Sequence, residues 1–534
     1  MSAALELAER GFEVDLYERH QVLGGRVRRW GIPGTGTGGR ADLPAEVGPH
    51  GFWGAYQNLG ESMGRIPIGG GRTILDNLLQ EGELLRFVDL ANAQTQMNAA
   101  NLLPTVTGIV NDLAGITAAD AALVTSKIAA LLASGPKRKW GQLEYMSLGQ
   151  FMCADRFSPN TRGALHQLTS ANTEPLGRMN ARAATLGMLH RWFANLIQVP
   201  YGPGMKNRAT FVNGPFNETL WAPWAQHLET LGARIHTSHR MTGLSMSGGQ
   251  ITGATVLNAS GNATAVAADW YVLAMPFDKV PEVLNPAIVA ADPALGRIAN
   301  LEGSWLGGPQ IYLKKKHPKL IQGMIDIAGP WCLVAGNYTN QIWNRDFPNQ
   351  YGDGTVVEYL TVDMAIWDAP GILYGKPAIE CTIEECFEEI RAQFRQALGD
   401  DTILLDEDIH TWTFNPAITR QGGRLVNDEP EWGTTPGCWA DQPEDVTTNI
   451  SNLLLASPYV RTDTWVDDMD AANSVGKRAA NAILGASGVS APPAPVRSVY
   501  ELIEPIYRPL WDEDDRRYAA GLPNVFDVIA PIAP

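Results

Sequence analysis

Apolar residues fall at helical spacing through Ala3-Ala4-Leu5-Glu6-Leu7-Ala8-Glu9-Arg10 and stop at Gly11, then alternate with polar ones through Phe12-Glu13-Val14-Asp15-Leu16-Tyr17-Glu18. The first pattern predicts an amphipathic helix ended by a glycine, the second a strand ending in a carboxylate. Helix then strand is the second half of a βαβ unit. In such a unit the carboxylate follows a glycine-rich turn by roughly twenty residues, and counting back from Glu18 places that turn before Met1. Over 89–208 helical periodicity takes over, with helices expected at 118–133, from 148 onward, at 161–170 and at 181–197. Strand, turn, helix, Gly and strand follow from Ala209 to Thr237. A hairpin from Met241 to Val256 leads to an apolar strand, Tyr271-Val272-Leu273, closed by Ala274-Met275-Pro276. Strands are expected at 310–313 and 356–363, a helix at 383–398, and a strand leading back at 412–418. Asn452–Ala456 reads as a buried strand and 463–483 as a helix rich in small residues.

Composition narrows the class. With 534 residues and 45% hydrophobic content, the chain can bury a large core in two or three domains. A net charge of -16 argues against a nucleic-acid partner, since Lys and Arg cluster only at Lys137-Arg138-Lys139 and Lys314-Lys315-Lys316, which read as solvated turns. Five scattered cysteines fit reduced thiols in a cytoplasmic protein, and Cys381 and Cys386 lie on different faces of a helix-like segment, so no metal site is expected. No apolar run reaches the roughly eighteen residues of a membrane span, and Glu6, Glu9 and Arg10 stand where an export signal is apolar. Peripheral membrane contact stays open, and oligomeric state is not legible. The tail 488–534, rich in Ala and Pro and then acidic at 512–515, reads as a surface extension.

The run after Glu18, Arg19-His20-Gln21-Val22-Leu23-Gly24-Gly25-Arg26-Val27, resembles the motif that follows the second strand in the flavin-dependent amine oxidase and phytoene desaturase superfamily. Phe211–Gly232, with its turn and its helix ending in Leu231-Gly232, resembles plant and cyanobacterial-type carotenoid desaturases and squalene-processing FAD oxidoreductases most nearly. The resemblance implies an α/β fold: a Rossmann-like FAD-binding domain lacking its first strand, with an interleaved α+β substrate domain. The FAD domain would comprise 1–88, 209–276 and 437–487, and the substrate domain 89–208 and 277–436.

The resemblance also implies site residues. Glu18 would hold the ribose, Gly24 and Gly25 would let the backbone approach the phosphates, and Arg26 would offer charge. Gly48, His50 and Gly51 would lie beside the isoalloxazine, where a histidine can move a proton or simply be a satisfied loop residue. Met241, Ala274 and Pro276 border the cofactor's path. The helix beginning at Asp468-Met469 would aim its N-terminus at the flavin pyrimidine ring, with Met469 at the ring edge and Ala471, Ala472, Gly476 and Ala479 keeping it slim. Relatives read Ala-Gly-Asp at the end of the preceding strand, whereas this chain reads Ala456-Ser457-Pro458, which supplies no carboxylate. Asp463 and Asp467 are the substitutes at hand. With the turn placed before Met1 as well, weak FAD binding or none is expected.

Three functions follow. The first is an FAD-dependent oxidoreductase taking hydride from a hydrophobic isoprenoid or polyene, with His50 or Glu218 as the proton acceptor and a quinone or dioxygen as the electron acceptor. The others are a flavin amine oxidase and a family member that has lost FAD and serves as a non-catalytic partner. The apolar run Leu186–Ile197 would be core, a tunnel wall or a membrane-facing surface.

Overall fold

The computed structural model describes residues 1–52, 56–80, 103, 106–107, 110, 116–170, 174–190, 210–320, 323–327 and 329–534. Strand Asp15–Tyr17 pairs in parallel with Arg234–His236, and Tyr271–Leu273 with Leu453–Leu455. Parallel pairs need crossovers, so the first half of the molecule is assembled from segments far apart in the chain. Helix Ser2–Ala8 lies against the closing helix Met469–Ser487. There a Cβ on Gly476 would stand 2.7 Å from the Ser2 Cβ, so the small residues keep this helix close to another helix as well as to the sheet.

The second half is built on a five-stranded antiparallel sheet, in the order Met324–Ile327, Leu333–Asn337, Glu358–Met364, Pro309–Leu313, Ile409–Phe414. Strand period two divides its side chains. Ile311, Leu313, Leu360, Val362 and Met364 join Phe387, Ile390 and Phe394 of helix Ile383–Leu398 in one core, while Gln310, Tyr312, Tyr359, Thr361 and Asp363 belong to the opposite set. The strand expected to lead back at 412–418 is instead the edge of this sheet, and Ile418–Gln421 opens a separate hairpin.

Helices Ala118–Ala133, Pro136–Gly141, Leu148–Met152 and Pro159–Ser170 form the remaining core. The expected 181–197 helix runs over Ala181–Ala183 into a π-helix, Ala184–His190, whose Met188, Leu189 and His190 are buried. Its continuation from Arg191 lies outside the described residues, as does most of 81–115. Among the described residues no single helix is long and apolar enough to cross a membrane, and none of the five cysteines forms a disulfide.

Two expectations fail here for one reason. The tail is not a surface extension: Val499–Ala519 is a helix whose Ile503, Tyr507 and Trp511 enter the helical core. Lys137-Arg138-Lys139 is not a solvated turn, because that helix covers it. Arg138 ion-pairs with Asp514 at 2.9 Å, both side chains 1% exposed, and Lys139 Nζ stands 3.8 Å from the Trp511 ring centre. A third buried pair, Lys127 with Asp527 at 2.8 Å, pins the chain beyond the helix. Basic residues without visible partners look solvated until a distant acid supplies the counter-charge. Asp514→Asn leaves the Arg138 guanidinium buried and unpaired, and should cost about 3–5 kcal/mol. The check is a thermal melt: Asp512→Asn, at a half-exposed position on the same helix, should melt with the parent, and an Asp514→Asn variant that also does so would refute the clasp.

Candidate active site

The segment after the first strand is held from one side. Arg19 and His20 reach Glu429 at 2.6 Å each and Arg28 reaches it at 2.8 Å; burial pushes its carboxyl up, but the His20 hydrogen bond and the Arg28 guanidinium hold it well below the usual range. Gly24 takes φ +114° and Gly25 φ +58°. A Cβ on Gly24 would stand 2.4 Å from Trp221 Nε1, whose N–H donates to the Val27 carbonyl at 3.0 Å. Arg26 donates to the Pro430 carbonyl at 3.0 Å and ion-pairs with Asp467. Asp467 also accepts the Trp432 backbone N–H at 3.1 Å, so its Oδ2 is shared between Arg26 and the backbone.

Beyond Arg26 the chain turns through hairpin Arg29–Gly31 with Pro44–Glu46 and reaches Gly48 and His50. Arg29 and Glu46, each 1% exposed, ion-pair inside an aromatic box. The Arg29 guanidinium lies 4.4 Å from the Tyr338 ring centre, 4.8 Å from Phe216 and 5.2 Å from Trp343. Tyr312, from the tyrosine face of the sheet, donates to the Pro44 carbonyl at 2.7 Å. Burial pushes the Glu46 carboxyl up to about 7 against the pull of Arg29. This box docks the hairpin onto the sheet and so sets where Gly48 and His50 stand.

His50 sits edge-on to Phe216, and Tyr338 Oη accepts its backbone N–H at 3.1 Å. His50 Nδ1 lies 2.6 Å from the Gly48 carbonyl, and a carbonyl only accepts. The ring proton is therefore on Nδ1 and the lone pair on Nε2. Burial lowers this histidine to about 4, so the imidazole is neutral at pH 7. Across from it Asp363 projects from the sheet: a Cβ on Gly48 would stand 2.1 Å from its Oδ1. Burial, with Glu431 and Glu46 nearby, holds Asp363 far above the usual carboxylate range, and Oδ1 has no hydrogen-bond partner among the described residues. Burial thus favours the protonated, hydrogen-bond-donating form of Asp363. His50, Asp363, Arg26 and Glu431 are all half-buried.

The closing helix meets this region at Met469. Asp468 caps it by accepting the Ala471 N–H at 2.7 Å, so the helix N-terminus is partly satisfied by its own chain. One residue on, Asp470 accepts the Leu59 N–H at 2.8 Å and the Asn58 amide at 3.1 Å. That ties the helix to Gln57–Arg65, the helix following the Gly48–Phe52 segment.

The structure does not bring all the expected residues together. Glu18 receives the His20 N–H at 2.8 Å, and its backbone bonds to His236 and His239, at the end of the first strand. Met241 starts the hairpin, packed on the core beside Tyr271–Leu273; Ala274 is exposed and Pro276 half-buried; Ala472 is half-buried on the closing helix. Glu218 is a correction: its side chain is 43% exposed and its carboxylate is taken by Arg345 at 2.6 Å and Tyr351 at 2.9 Å, a surface ion pair and no base beside His50. Asp363, Glu431 and the Arg29–Glu46 pair went unseen in the sequence. Asp363 left one faint signal, an acid inside the strand pattern 356–363.

Two parallel strand pairs closed by a capped helix, joined to a five-stranded antiparallel sheet, make a mixed α/β fold. The profile described as flavin containing amine oxidoreductase matches residues 1–484, and the chain belongs to that family. It is 23% identical to the zeta-carotene desaturase of Synechocystis over 516 residues, 91% of this chain and 95% of that protein. Over 69 residues it is 44% identical to the carotenoid phi-ring synthase of Chlorobaculum tepidum, 13% of this chain and 10% of that protein. Among solved structures it shares its fold with a putative protoporphyrinogen oxidase from Exiguobacterium (TM-score 0.54, 13% identity, 90% of this chain and 96% of that one). It shares it too with cyclohexylamine oxidase from Brevibacterium oxydans (TM-score 0.52, 12% identity, 91% and 97%).

The residues fit a flavin in kind: Gly24 and Gly25 at positive φ allow close backbone approach, His50 Nε2 is an acceptor, and the helix starting at Met469 presents a donor end. Protonation of His50 tests how deeply that side chain is buried. Its folded value, about 4, lies below the ordinary 6.5. Its stabilising contribution is therefore complete above 6.5 and is lost as pH falls toward 4, by about 3 kcal/mol in all. His50→Gln should flatten the fall in melting temperature between pH 6.5 and 4, and an unchanged slope would show that His50 is already solvated.

Proposed function

We propose that this chain is an FAD-dependent oxidoreductase that removes hydride from a hydrophobic isoprenoid or polyene, in the manner of a desaturase. The observation that carries the reading is His50, whose Nδ1 is held by the Gly48 carbonyl so that Nε2 is an acceptor, with the Asp363 side chain of the sheet packed directly against Gly48. Burial disfavours charge on both side chains, which suits an apolar substrate. Similarity to the zeta-carotene desaturase over 91% of the chain supports the same substrate class.

FAD, when bound, supplies the two-electron acceptor. Arg26, Gly24, Gly25 and Glu18 would hold its phosphate and ribose side, and Met469 and Asp363 its ring. His50 Nε2 accepts the proton that leaves the carbon next to the oxidised one, because Nδ1 is already committed to the Gly48 carbonyl. Asp363 acts by donating its O–H. A quinone or dioxygen takes the electrons on, and contact with a membrane surface would deliver the substrate.

The purified protein should show flavin bands in its visible spectrum. Mixed without oxygen with phytoene or zeta-carotene in detergent, it should lose those bands while polyene absorbance moves to longer wavelength. Bleaching by a primary amine and not by either polyene would favour the amine oxidase reading, and no bound flavin after incubation with FAD would defeat both.

A further inference from the structure

A groove of about 400 Å³ lies where the closing helix, the loop after its preceding strand and the start of helix Val499–Ala519 meet. Three arginines line it from three separate segments: Arg461, Arg478 and Arg497. Elsewhere the deeply buried arginines are neutralised by buried carboxylates, Arg29 by Glu46, Arg138 by Asp514 and Arg182 by Glu144. Here carbonyls orient the guanidinium groups. Arg461 donates twice to the Trp439 carbonyl, at 3.2 and 2.8 Å, and Arg478 donates to the Arg461 carbonyl at 2.7 Å.

Their acidic partners sit outward in solvent: Glu444 is 79% exposed and Asp445 57% exposed. Such exposed pairs hold little and yield readily to a stronger anion. The Arg497 guanidinium has no partner among the described residues. Its backbone is fixed, with its N–H donating to Asn58 Oδ1 at 2.7 Å and its carbonyl accepting the Asn58 amide at 2.9 Å. Asp463 and Glu501 also line the groove, so with Glu444 and Asp445 four carboxylates stand near the three guanidiniums, and the unpaired Arg497 guanidinium and the N-terminal end of a 21-residue helix starting after Ser498 are what the groove offers an anion.

We propose that this groove binds a phosphate ester. Guanidinium forks arriving from three directions suit a group with several charged oxygens, which a single carboxylate does not offer. The volume exceeds one phosphate, leaving room for the attached group against Trp439 and Val496, the latter 42% exposed. The phosphate belongs either to a soluble ester or to a lipid headgroup, and the site stands independently of the substrate read for the site around His50.

The test uses the full-length flavin-loaded protein and Arg497→Gln, a change that removes no contact and should leave the melting temperature unaltered. Glycerol phosphate is titrated calorimetrically at low salt, and sedimentation is followed with phosphatidylglycerol and phosphatidylcholine vesicles. The parent should bind glycerol phosphate, or sediment with phosphatidylglycerol only, and Arg497→Gln should weaken that binding at least tenfold, as should added salt. Glycerol phosphate binding marks the soluble ester, and vesicle binding alone marks the headgroup. Equal binding by parent and variant, or binding of neither probe by the parent, would overturn the proposal.

Discussion

Replacing Glu46 with Gln should destabilise the protein by about 3–5 kcal/mol, and by more than replacing Arg29 with Met. The two partners are equally buried, but they fail differently when left alone. A carboxyl without its cation can take up a proton, and Glu46 is already pushed up to about 7 by burial. A guanidinium cannot shed its proton at any accessible pH. The rings of Phe216, Tyr338 and Trp343 offset part of its desolvation, at about 1–2 kcal/mol for each good contact, and they do not replace the carboxylate. Melting temperatures at pH 7 should fall in the order parent, Arg29→Met, Glu46→Gln. The reverse order would show that the aromatic box carries Arg29 without help. Because the pair docks the Gly48–His50 segment onto the sheet, both variants should also lose activity before they unfold.

The second large effect is expected at Gly48. Its backbone is not left-handed, so the constraint is space: an added Cβ would meet Asp363 Oδ1 at 2.1 Å, Oδ2 at 2.3 Å and Cγ at 2.5 Å. A carboxyl on a central strand has little room to yield, so Gly48→Ala should move the segment that carries His50. A displacement near 1 Å at a reacting centre costs about 100-fold in rate, and a loss of that size in turnover is the expected result. Pairing Gly48→Ala with Asp363→Gly removes the collision. The double variant should regain the parent's melting temperature and flavin content, while turnover stays low because the Asp363 donor is gone. Failure of the second change to restore melting temperature would mean that the glycine is needed for something other than its distance from Asp363.

Glu18, Gly24-Gly25-Arg26 and the closing helix were legible because each depends on local order: a carboxylate at a strand end, glycines at positive φ, and a capping aspartate ahead of small residues. His50 was legible as a residue, but its tautomer came from the Gly48 carbonyl. Glu218 was misread because a turn beside a helix leaves side-chain direction open, and Arg345, 127 residues further on, draws it to the surface. The tail was misread on composition, since Trp511 and Asp514 find their partners across some 380 residues.

By itself the sequence determined the α/β class and the motifs by which the chain is placed in this flavoprotein family. These rest on periodicity and short motifs, which neighbouring residues settle among themselves. Only the tertiary structure decided the site: which face of the five-stranded sheet turns its tyrosines and Asp363 toward Gly48, which acids neutralise Arg26 and Arg29, and which arginines converge on the outer groove. Pairings of that kind span hundreds of residues, and burial is what fixes both the partner and the charge each group can bear.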